Sequence, residues 1–538
     1  MNPGFRVSRG DEEWGSIPNL VRFAADRYAD HEAIVDHGTT AVGAPAATPT
    51  RLTYRELGEA AEAAARAFAA AGLRPGDRVA IWAPNSAEWV VALLGLHLAG
   101  GVLVPLNTRF RGAEAAFVLR RSRARFLCTV EGFLGTDYVS LLDGHDLPDL
   151  ERILVFGAEA GERSWQAFVS DPGVRDFPLP ERRPEDLSDI IFTSGTTGEP
   201  KGVTATHSQS LRAFAEWARI VGLAEGDRYL LVNPMFHTFG YKAGVLASLM
   251  AGVTIVPVPL FDVELVCARI VQERITVLPG PPTLYQSLLA RPEALAHPTL
   301  RLAVTGAAVI PVDLVRRMHS ELGFETVLTA YGLTEATGFV TSCRQGDDPE
   351  TIATTSGRAI DGVEVEIVDD EGREVPRGES GEIRCRGYNV TSGYFEDPEQ
   401  TAATIDSDGW LRTGDVGVMD DAGNIRITDR KKDMFIVGGF NAYPAEIENL
   451  LRANPAVGNV AVVGVPDDRL GEVGVAFVVW APGSGEAAGE ELIAWARDNM
   501  ANYKVPRQVF SLEALPLNAS GKVLKYELRA RALELMPA

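Results

Sequence analysis

Residues 193–202 (TSGTTGEPKG) have the composition of a loop that holds phosphate. The glycines let the backbone approach a ligand closely, the hydroxyl side chains can donate hydrogen bonds, and Lys201 adds a positive charge. The spacing differs from that of a Walker A loop, because Pro200 stands where that loop needs a glycine before the lysine. A flexible surface turn is the alternative for a generic loop of this composition. The predicted phosphate-binding residues are Thr193, Ser194, Gly195, Thr196, Thr197, Gly198 and Lys201.

Short apolar segments that alternate with helix-length segments must position this loop. The loop directly follows DIIF, and the other strand-like segments are RVAIWA, VLVPL, TIVPV, TVLPG, LAVTG and TVLTA. Helix-length segments such as ELGEAAEAAARAFAAA separate most of them. This alternation predicts an α/β architecture with buried, mostly parallel sheets. Residues 37–51 are predicted to form an extended surface loop.

Composition excludes several classes of protein. The 51 basic and 73 acidic residues among 538 give a net charge of −22, which argues against a protein that coats nucleic acid or an anionic membrane. The length predicts two or more domains. Residues 243–261 are long enough to be tested as a membrane span, but two prolines and the β-branched VTIVPV favour a helix, a turn and a buried strand. Four scattered cysteines without metal spacing, and no signal-like segment in residues 1–18, favour a cytoplasmic protein.

An ordered set of motifs resembles the adenylate-forming superfamily of acyl-CoA synthetases, carrier-protein adenylation domains and firefly-type luciferases. The motifs are LTYRELGE, LAGGVLVPLN, TSGTTGEPKG, PMFHTFG, YGLTE, GEIRCRG, RTGD, DRKKD and NASGK. The resemblance spans roughly residues 20–530. It implies a large N-terminal AMP-binding domain at residues 1–431, with layered α/β subdomains and a β-rich part. It also implies a small, mobile α+β C-terminal domain at 432–538, where the pattern changes to a hairpin, a helix, two strands, another helix and a charged tail.

The resemblance gives the other motifs roles in binding ATP. In YGLTE, the ring of Tyr331 suits adenine, the hydroxyl of Thr334 suits phosphate, and Glu335 is an oxygen ligand for the Mg²⁺ bound to ATP. Asp415 in RTGD can accept hydrogen bonds from the ribose hydroxyls, and Arg430 resembles the family's second ribose contact. Without the motif order, Asp415 would read as a turn residue. The implied adenosine-binding residues are Gly306, Ala307, Ala308, Ala330, Tyr331, Gly332, Asp415 and Arg430.

The C-terminal domain supplies a lysine and a hinge by the same resemblance. Lys522 matches the family's adenylation lysine, which neutralises charge where the carboxylate meets the α-phosphate. Lys432 matches the hinge about which the small domain swings after adenylation. The hairpin at residues 437–440 then lines the pantetheine channel, with Gly438, Gly439 and Phe440 as the predicted contacts. The implied catalytic residues are Lys522, Thr334, Glu335 and His237.

The acid-binding pocket is predicted from the stretch NPMFHTFGYKAG. His237 matches the family's position beside the carboxylate, with a core histidine as the alternative. Lys242 lies among apolar residues and either meets an oxygen-bearing substrate or forms a buried ion pair. This stretch, with VLPGPPTLYQSLL and AVTGAA, resembles bacterial CoA ligases that act on the indanedione propanoate left by steroid degradation. The predicted pocket residues are Phe236, His237, Phe239, Tyr241, Lys242 and Gly338.

The implied reaction is an AMP-forming acid–thiol ligation that uses ATP, Mg²⁺ and coenzyme A. Carboxylate and MgATP give acyl-AMP and pyrophosphate, and CoA then gives acyl-CoA and AMP. The predicted acid is bulky or contains rings. Alternatives are an aryl or medium-chain acid, loading of a free carrier protein, activation of an oxyanion such as nitrite, or a nucleotide-binding sensor without turnover. We expect a monomer or homodimer, with no nucleic-acid partner and no stable membrane insertion.

Overall fold

The computed structural model describes most of the chain. The described residues are 5–38, 48–158, 160–171, 173, 177–194, 199–291, 299–306, 310, 312–369, 371–430, 435–481, 488–516, 523 and 525–536. Within them the helices are α1 (Gly10–Glu13), α2 (Ile17–Arg27), α3 (Tyr54–Ala70), α4 (Ala87–Leu98), α5 (Gly112–Ser122), α6 (Trp165–Val169), α7 (His207–Val221), α8 (Ala247–Ala251), α9 (Val263–Gln272), α10 (Pro282–Leu289), α11 (Val312–Ser320), α12 (Pro349–Thr354), α13 (Pro398–Thr404), α14 (Pro444–Arg452), α15 (Ala488–Asn499) and α16 (Lys525–Leu535).

The strands of the same residues form four sheets. They are β1 (Glu32–Asp36), β2 (Thr50–Thr53), β3 (Arg78–Trp82), β4 (Val102–Pro105), β5 (Ala124–Val130), β6 (Arg152–Phe156), β7 (Leu187–Ser194), β8 (Pro200–Thr206), β9 (Arg228–Leu231), β10 (Thr254–Pro257), β11 (Leu302–Gly306), β12 (Thr326–Tyr331), β13 (Thr341–Ser342), β14 (Arg358–Ala359), β15 (Val363–Val368), β16 (Ser380–Gly387), β17 (Leu411–Met419), β18 (Ile425–Arg430), β19 (Phe435–Val437), β20 (Phe440–Ala442), β21 (Val457–Asp467), β22 (Gly471–Trp480) and β23 (Gln508–Ser511).

The first sheet carries the predicted phosphate loop. Its strand order is β6-β5-β3-β4-β7-β8, and every pair is parallel except β7 with β8. Helix α4 is buried along nearly its whole length, as expected for an apolar helix that covers a parallel sheet. The antiparallel β7–β8 pair sets Thr193 opposite Lys201, so these two ends of the loop are held together by strand pairing.

The second sheet continues through a single residue. Its two runs, β2-β1-β10-β9 and β11-β12-β13-β14, are joined because Val277 forms parallel bridges to Tyr229 and to Leu302. The predicted strand TVLPG is therefore wrong as a strand, since only Val277 bridges and Pro279 has no amide hydrogen to donate. Strands β11 and β12 run parallel, with Gly306 beside Ala330, so both strand ends reach the same sheet edge.

The third sheet, β15-β16-β17-β18, is antiparallel throughout and forms the predicted β-rich part. Its last pair sets Asp415 directly opposite Arg430. These residues lie in different sequence motifs, and the antiparallel register brings their backbones together. The ladder therefore supports one site for both of them.

The C-terminal sheet has the order β20-β19-β22-β21, with β23 parallel to β22. Alternate residues of β21 face opposite sides, so Val460 and Val462 pack in one core with residues of α14 and α15 while Ala461 and Val463 pack with α16. The tail, which the sequence left as merely charged, contains this helix. The arrangement is α+β, as predicted.

The predicted fold class is confirmed by these sheets: layered α/β subdomains with mostly parallel strands, a β-rich part and a C-terminal α+β unit. In residues 243–261 the chain forms α8, a glycine turn and β10, as the sequence indicated. Among the described residues, each helix is too short or too polar to cross a membrane.

Candidate active site

Glu335 is the point at which several chain segments meet. Its Oε1 atom accepts hydrogen bonds from the Thr193 hydroxyl at 3.3 Å and from the Tyr394 hydroxyl at 3.1 Å. Glu335 lies in a short 3₁₀ helix, Thr334–Ala336, just after β12. These partners are neutral hydroxyls, so the negative charge of the carboxylate suits a divalent cation carried by ATP. The predicted Mg²⁺ ligand therefore lies beside the phosphate loop.

Lys201 lies near the ring of the same tyrosine. Its ammonium donates to Gln400 Oε1 at 2.5 Å and lies 5.4 Å from the ring centroid of Tyr394. Burial, and then the nearby charge of Glu335, raise the pKa of the Tyr394 hydroxyl, so this tyrosine acts as a neutral donor. A cavity of about 260 Å³ opens beside Lys201. Its lining includes Arg121, Glu199, Lys201, Phe395 and Gln400.

The described adenosine residues lie at the ends of β11 and β12 and in the middle of β17. Gly306 lies so close to β12 that an added Cβ would be 2.7 Å from the carbonyl oxygen of Ala330. The hydroxyl of buried Tyr331 donates to Asp415 Oδ2 at 2.7 Å. Burial and the Asp415 carboxylate raise the pKa of Tyr331, so the hydroxyl keeps its proton. The groups predicted for base and ribose are thus direct neighbours.

Two glycines join the YGLTE segment to the PMFHTFG segment. An added Cβ on Gly332 would lie 2.1 Å from the carbonyl oxygen of Gly338. Gly338 has a φ of +94°, and an added Cβ there would lie 2.8 Å from Cβ of Thr238. Because Thr238 directly follows His237, these contacts place the predicted acid-binding histidine next to the nucleotide segment.

The side chain of His237 is exposed to solvent. The protein groups packed around its ring still desolvate it in part and lower the pKa of the imidazole, so the ring is neutral at neutral pH. The ring centroids of Phe236 and His237 are 6.5 Å apart. Phe239 is half-buried and packs edge-on against Trp217, with centroids 6.2 Å apart. A neutral imidazole beside two phenyl rings suits an uncharged or apolar part of an acid.

Tyr241 and Lys242 are buried, unlike half-buried Phe239. Both lie in a π-helical segment, Phe239–Leu246, a conformation often found near functional sites. Lys242 Nζ lies 3.0 Å from Asp189 Oδ1, and both side chains are 1% exposed. Burial lowers the pKa of Lys242, and Asp189 opposes that shift. The ion pair is the alternative that the sequence allowed for Lys242, and contact of Lys242 with the acid stays a prediction.

The predicted pantetheine hairpin is formed by β19 and β20. Gly438 and Gly439 at its turn are exposed and have positive φ values of 56° and 86°, which explains two consecutive glycines. Phe440 stacks on Tyr503, with ring centroids 4.9 Å apart. The hairpin therefore presents backbone to solvent on one side while its aromatic residue anchors it to the small domain.

Several predicted residues lie outside the described part of the chain. They are Gly195, Thr196, Thr197, Gly198, Ala307, Ala308, Lys432 and Lys522, together with the side chains of Ser194 and Arg430. Sequence reasoning also missed Tyr394 and Gln400, the partners of Glu335 and Lys201. Tyr394 lies 59 positions from Glu335, and no local spacing links them. Their contacts come from the segment that pairs with β8 through Tyr394 and Val203.

Comparison with family models gives two matches, an AMP-binding enzyme over residues 21–395 and an AMP-binding enzyme C-terminal domain over residues 446–522. The chain belongs to the AMP-binding enzyme family. This AMP-binding enzyme is 47% identical to a Rhodococcus jostii protein, and the match covers 96% of this chain and 99% of that protein. It is 50% identical to a Mycobacterium tuberculosis protein, and the match covers 96% of this chain and 98% of that protein. Both are named 3-[(3aS,4S,7aS)-7a-methyl-1,5-dioxo-octahydro-1H-inden-4-yl]propanoyl:CoA ligase.

Solved structures agree with the fold. An amide bond synthetase from Marinactinospora thermotolerans is 28% identical, with 95% of this chain and 99% of that chain covered and a TM-score of 0.83. An o-succinylbenzoate CoA synthetase from Bacillus subtilis is 29% identical, with 96% and 98% covered and a TM-score of 0.79. The predicted superfamily, the enzyme class of AMP-forming acyl-CoA synthetase, and the use of ATP, Mg²⁺ and CoA are confirmed.

Proposed function

We propose that this enzyme joins CoA to a bulky, ring-containing carboxylic acid, and that the acid is an indanedione propanoate derived from a steroid. The observation that carries the proposal is the identity of 47% and 50%, over 96% of the chain, to two ligases named for that acid. Pockets of related enzymes diverge quickly, so similarity across nearly the whole chain weighs more than any single pocket residue.

In the first half-reaction, a carboxylate oxygen of the acid attacks the α-phosphorus of ATP. The bond from that phosphorus to the α,β-bridging oxygen breaks, so pyrophosphate leaves with that oxygen and its electron pair and acyl-AMP remains. Mg²⁺ held near Glu335 would neutralise charge on the phosphates. Lys201 and the Thr193 hydroxyl would hold phosphate oxygens, and the Tyr394 hydroxyl keeps the Glu335 carboxylate oriented at 3.1 Å.

The nucleoside would be held where Tyr331 meets Asp415. With the Tyr331 hydroxyl occupying one oxygen of Asp415 at 2.7 Å, the carboxylate retains acceptor capacity for the ribose hydroxyls. Gly306 and Ala330, side by side at the strand ends, leave space for a flat base. Arg430, opposite Asp415 in the ladder, would be the second ribose contact.

In the second half-reaction, the thiolate of CoA attacks the acyl carbon. The bond from that carbon to the AMP oxygen breaks, and AMP leaves with its electron pair. We propose that the small domain, which starts at Lys432, withdraws Lys522 and brings the hairpin with Gly438 and Gly439 to the site. Lys432→Pro is expected to spare acid-dependent ATP–pyrophosphate exchange and to block thioester formation. Equal loss of both half-reactions would contradict a hinge at this residue.

The acid would lie between Phe236, His237 and Phe239. The lowered pKa of His237 keeps its imidazole neutral, so the ring can donate one hydrogen bond to an oxygen of the acid without a competing positive charge. Lys242 is paired with Asp189, so we assign its charge to the protein rather than to the ketone of the substrate. Tyr241, fully buried beneath this segment, would support the pocket from behind.

AMP release with ATP and CoA, measured across a panel of acids, tests the substrate. The panel contains the indanedione propanoate, ferulate and a straight-chain medium acid. Ferulate is included because feruloyl-CoA synthases are 37% identical over 94% of this chain. We expect the ring ketone acid to give the highest kcat/KM by at least about tenfold. Turnover of only aryl or straight-chain acids would overturn the proposed substrate.

We also propose that the enzyme works in the cytoplasm as a monomer or homodimer. The buried cysteines Cys128, Cys267, Cys343 and Cys385 are not joined by disulfides, which fits a reducing compartment. Size-exclusion chromatography with light scattering distinguishes the two oligomeric states, and an assembly larger than a dimer would contradict both.

A further inference from the structure

Lys504 is a buried cation that two parts of the chain share. Its ammonium donates to Glu446 Oε1 at 2.7 Å and to Glu114 Oε1 at 2.5 Å, and its side chain is 2% exposed. Glu446 lies in α14 of the C-terminal unit, whereas Glu114 lies in α5, before the first sheet's strand β5. The ring of Phe110, just before α5, lies 4.9 Å from the same ammonium. One side chain therefore ties the small domain to the large one.

The charges make this contact specific. Burial disfavours the charge of Lys504, but Glu446, Tyr503 and Glu114 act against burial and hold its pKa well above the ordinary value. Both carboxylates are themselves nearly buried, with side chains 6% and 7% exposed. Removing one partner of such a cluster leaves an uncompensated buried charge. The bridge to Glu114 therefore exists only while the small domain lies against α5.

The same side of the small domain carries the predicted pantetheine hairpin. Tyr503, the neighbour of Lys504, stacks on Phe440 at the start of β20, with ring planes 21° apart. Tyr443, at the end of the hairpin, lies near enough to Tyr394 to contribute to the raised pKa of its hydroxyl, after burial and Glu335. In the arrangement in which Lys504 contacts Glu114, the end of the hairpin therefore lies near Tyr394, whose hydroxyl donates to Glu335.

We propose that Lys504 is a positioning residue for the second half-reaction. Its bridge from Glu446 to Glu114 holds the small domain in the orientation that keeps the hairpin at residues 437–440 by the nucleotide site while the thioester forms. The bridge must open when the small domain turns to bring Lys522 to the site. This inference rests on the proposed acyl-CoA ligase function, and it adds a residue that the motifs did not indicate.

The test separates the two half-reactions in the full-length enzyme. Adenylation is followed by acid-dependent ATP–pyrophosphate exchange, and thioester formation by the single-turnover reaction of acyl-AMP with CoA. We expect Glu114→Gln and Lys504→Met to leave exchange within about twofold of wild type and to slow thioester formation about tenfold, because the hairpin is held in place for less of the time. Lys504→Arg keeps the charge and is expected to recover most of the rate.

The Glu114→Gln variant is also chosen because it should fold normally. Glu114 Oε2 accepts from the Arg111 amide at 2.8 Å and so helps to begin α5, and a glutamine oxygen can keep that bond. The matched control is Lys525→Met, because Lys525 pairs with Glu448 at 2.8 Å inside the small domain. The control is expected to change neither half-reaction by more than about twofold.

The outcomes distinguish this inference from the proposed function. If the wild-type enzyme forms no acyl-CoA from any acid of the panel, the proposed function fails. If wild type forms acyl-CoA but Glu114→Gln and Lys504→Met reduce exchange and thioester formation equally, or change neither, the positioning role of Lys504 is overturned. A loss confined to thioester formation, absent in Lys525→Met and recovered in Lys504→Arg, supports it.

Discussion

Lys242 and Lys504 are 1% and 2% exposed, yet their pKa values are shifted in opposite directions. Lys242 lies in the large domain and faces one carboxylate, Asp189, so burial prevails and its pKa falls. Lys504 faces two carboxylates and the nearby Tyr503, which together outweigh burial, so its pKa rises. The comparison indicates that the groups packed around a buried lysine decide the direction of its pKa shift.

The two lysines also differ in which elements hold them. Lys242 and Asp189 lie on a π-helical segment and on β7, both inside the large domain. The partners of Lys504 lie in two domains, so its bridge can open without unfolding either one. A pair inside one core contributes to stability, whereas a pair across two domains sets their orientation.

Lys522 differs from both of these lysines because it must reach the substrate. Its substitution has the largest expected effect. Lys522→Ala is expected to lower acid-dependent ATP–pyrophosphate exchange by roughly 10³-fold, because a positive charge is lost where carboxylate and α-phosphate meet. Lys525→Met, three positions later, is the control. Near-normal exchange in Lys522→Ala would remove this residue from adenylation.

Asp189→Asn is expected to have the largest effect on stability. It leaves the ammonium of Lys242 buried without a carboxylate and is expected to lower the free energy of unfolding of the large domain by about 3 kcal/mol. Thermal unfolding followed by circular dichroism measures the loss. Adding Lys242→Met to Asp189→Asn is expected to recover most of it. A double variant as unstable as Asp189→Asn would show that the pair is not the cause.

Lys504→Met is expected to destabilise much less, by about 1 kcal/mol. When the bridge is absent, the small domain can turn away and water can reach Glu114 and Glu446, which an internal pair does not allow. The same thermal unfolding experiment measures it beside Asp189→Asn. Equal destabilisation by the two substitutions would contradict the distinction between an ion pair inside one core and a bridge between two domains.

Tyr394→Phe, at the meeting point of the two domains, is expected to have the smallest effect on activity. The substitution removes one hydrogen bond to Glu335 and keeps the ring beside Lys201, so kcat/KM for MgATP is expected to fall about threefold. Steady-state AMP release at varied MgATP measures it, with Tyr388→Phe as a control for loss of a buried hydroxyl. A change above about a hundredfold would assign Tyr394 a direct part in the chemistry.

Much of the nucleotide site follows from motif order alone. Thr193, Glu335, Tyr331 and Asp415 were predicted from three motifs, and the structure brings residues of different motifs into two hydrogen-bonded pairs. Strands β7 and β12, which hold Thr193 and Tyr331, were also predicted, because short apolar runs between helices mark buried strands. The antiparallel strand β17, which holds Asp415, was not among the predicted strands. The segment TVLPG was wrong as a strand because the pattern of apolar residues does not register the missing amide of Pro279.

Residues whose role depends on a distant partner could not be predicted. Tyr394 and Gln400 carry no motif that links them to Glu335 and Lys201, and Lys504 lies outside the motifs that indicated the site. The partner of Lys504 in α5 is 390 positions away. Side-chain type and local spacing contain no information about such a contact, since it depends on how two separate sheets pack.

The sequence by itself determined the enzyme family, the fold class and the chemical groups of the nucleotide site, because each follows from local composition and motif order. Only the tertiary structure decided that Lys242 is neutralised by Asp189 and that Lys504 joins two domains. The physical reason is that the charge state of a buried lysine depends on the carboxylates packed around it, and packing brings those together from distant parts of the chain.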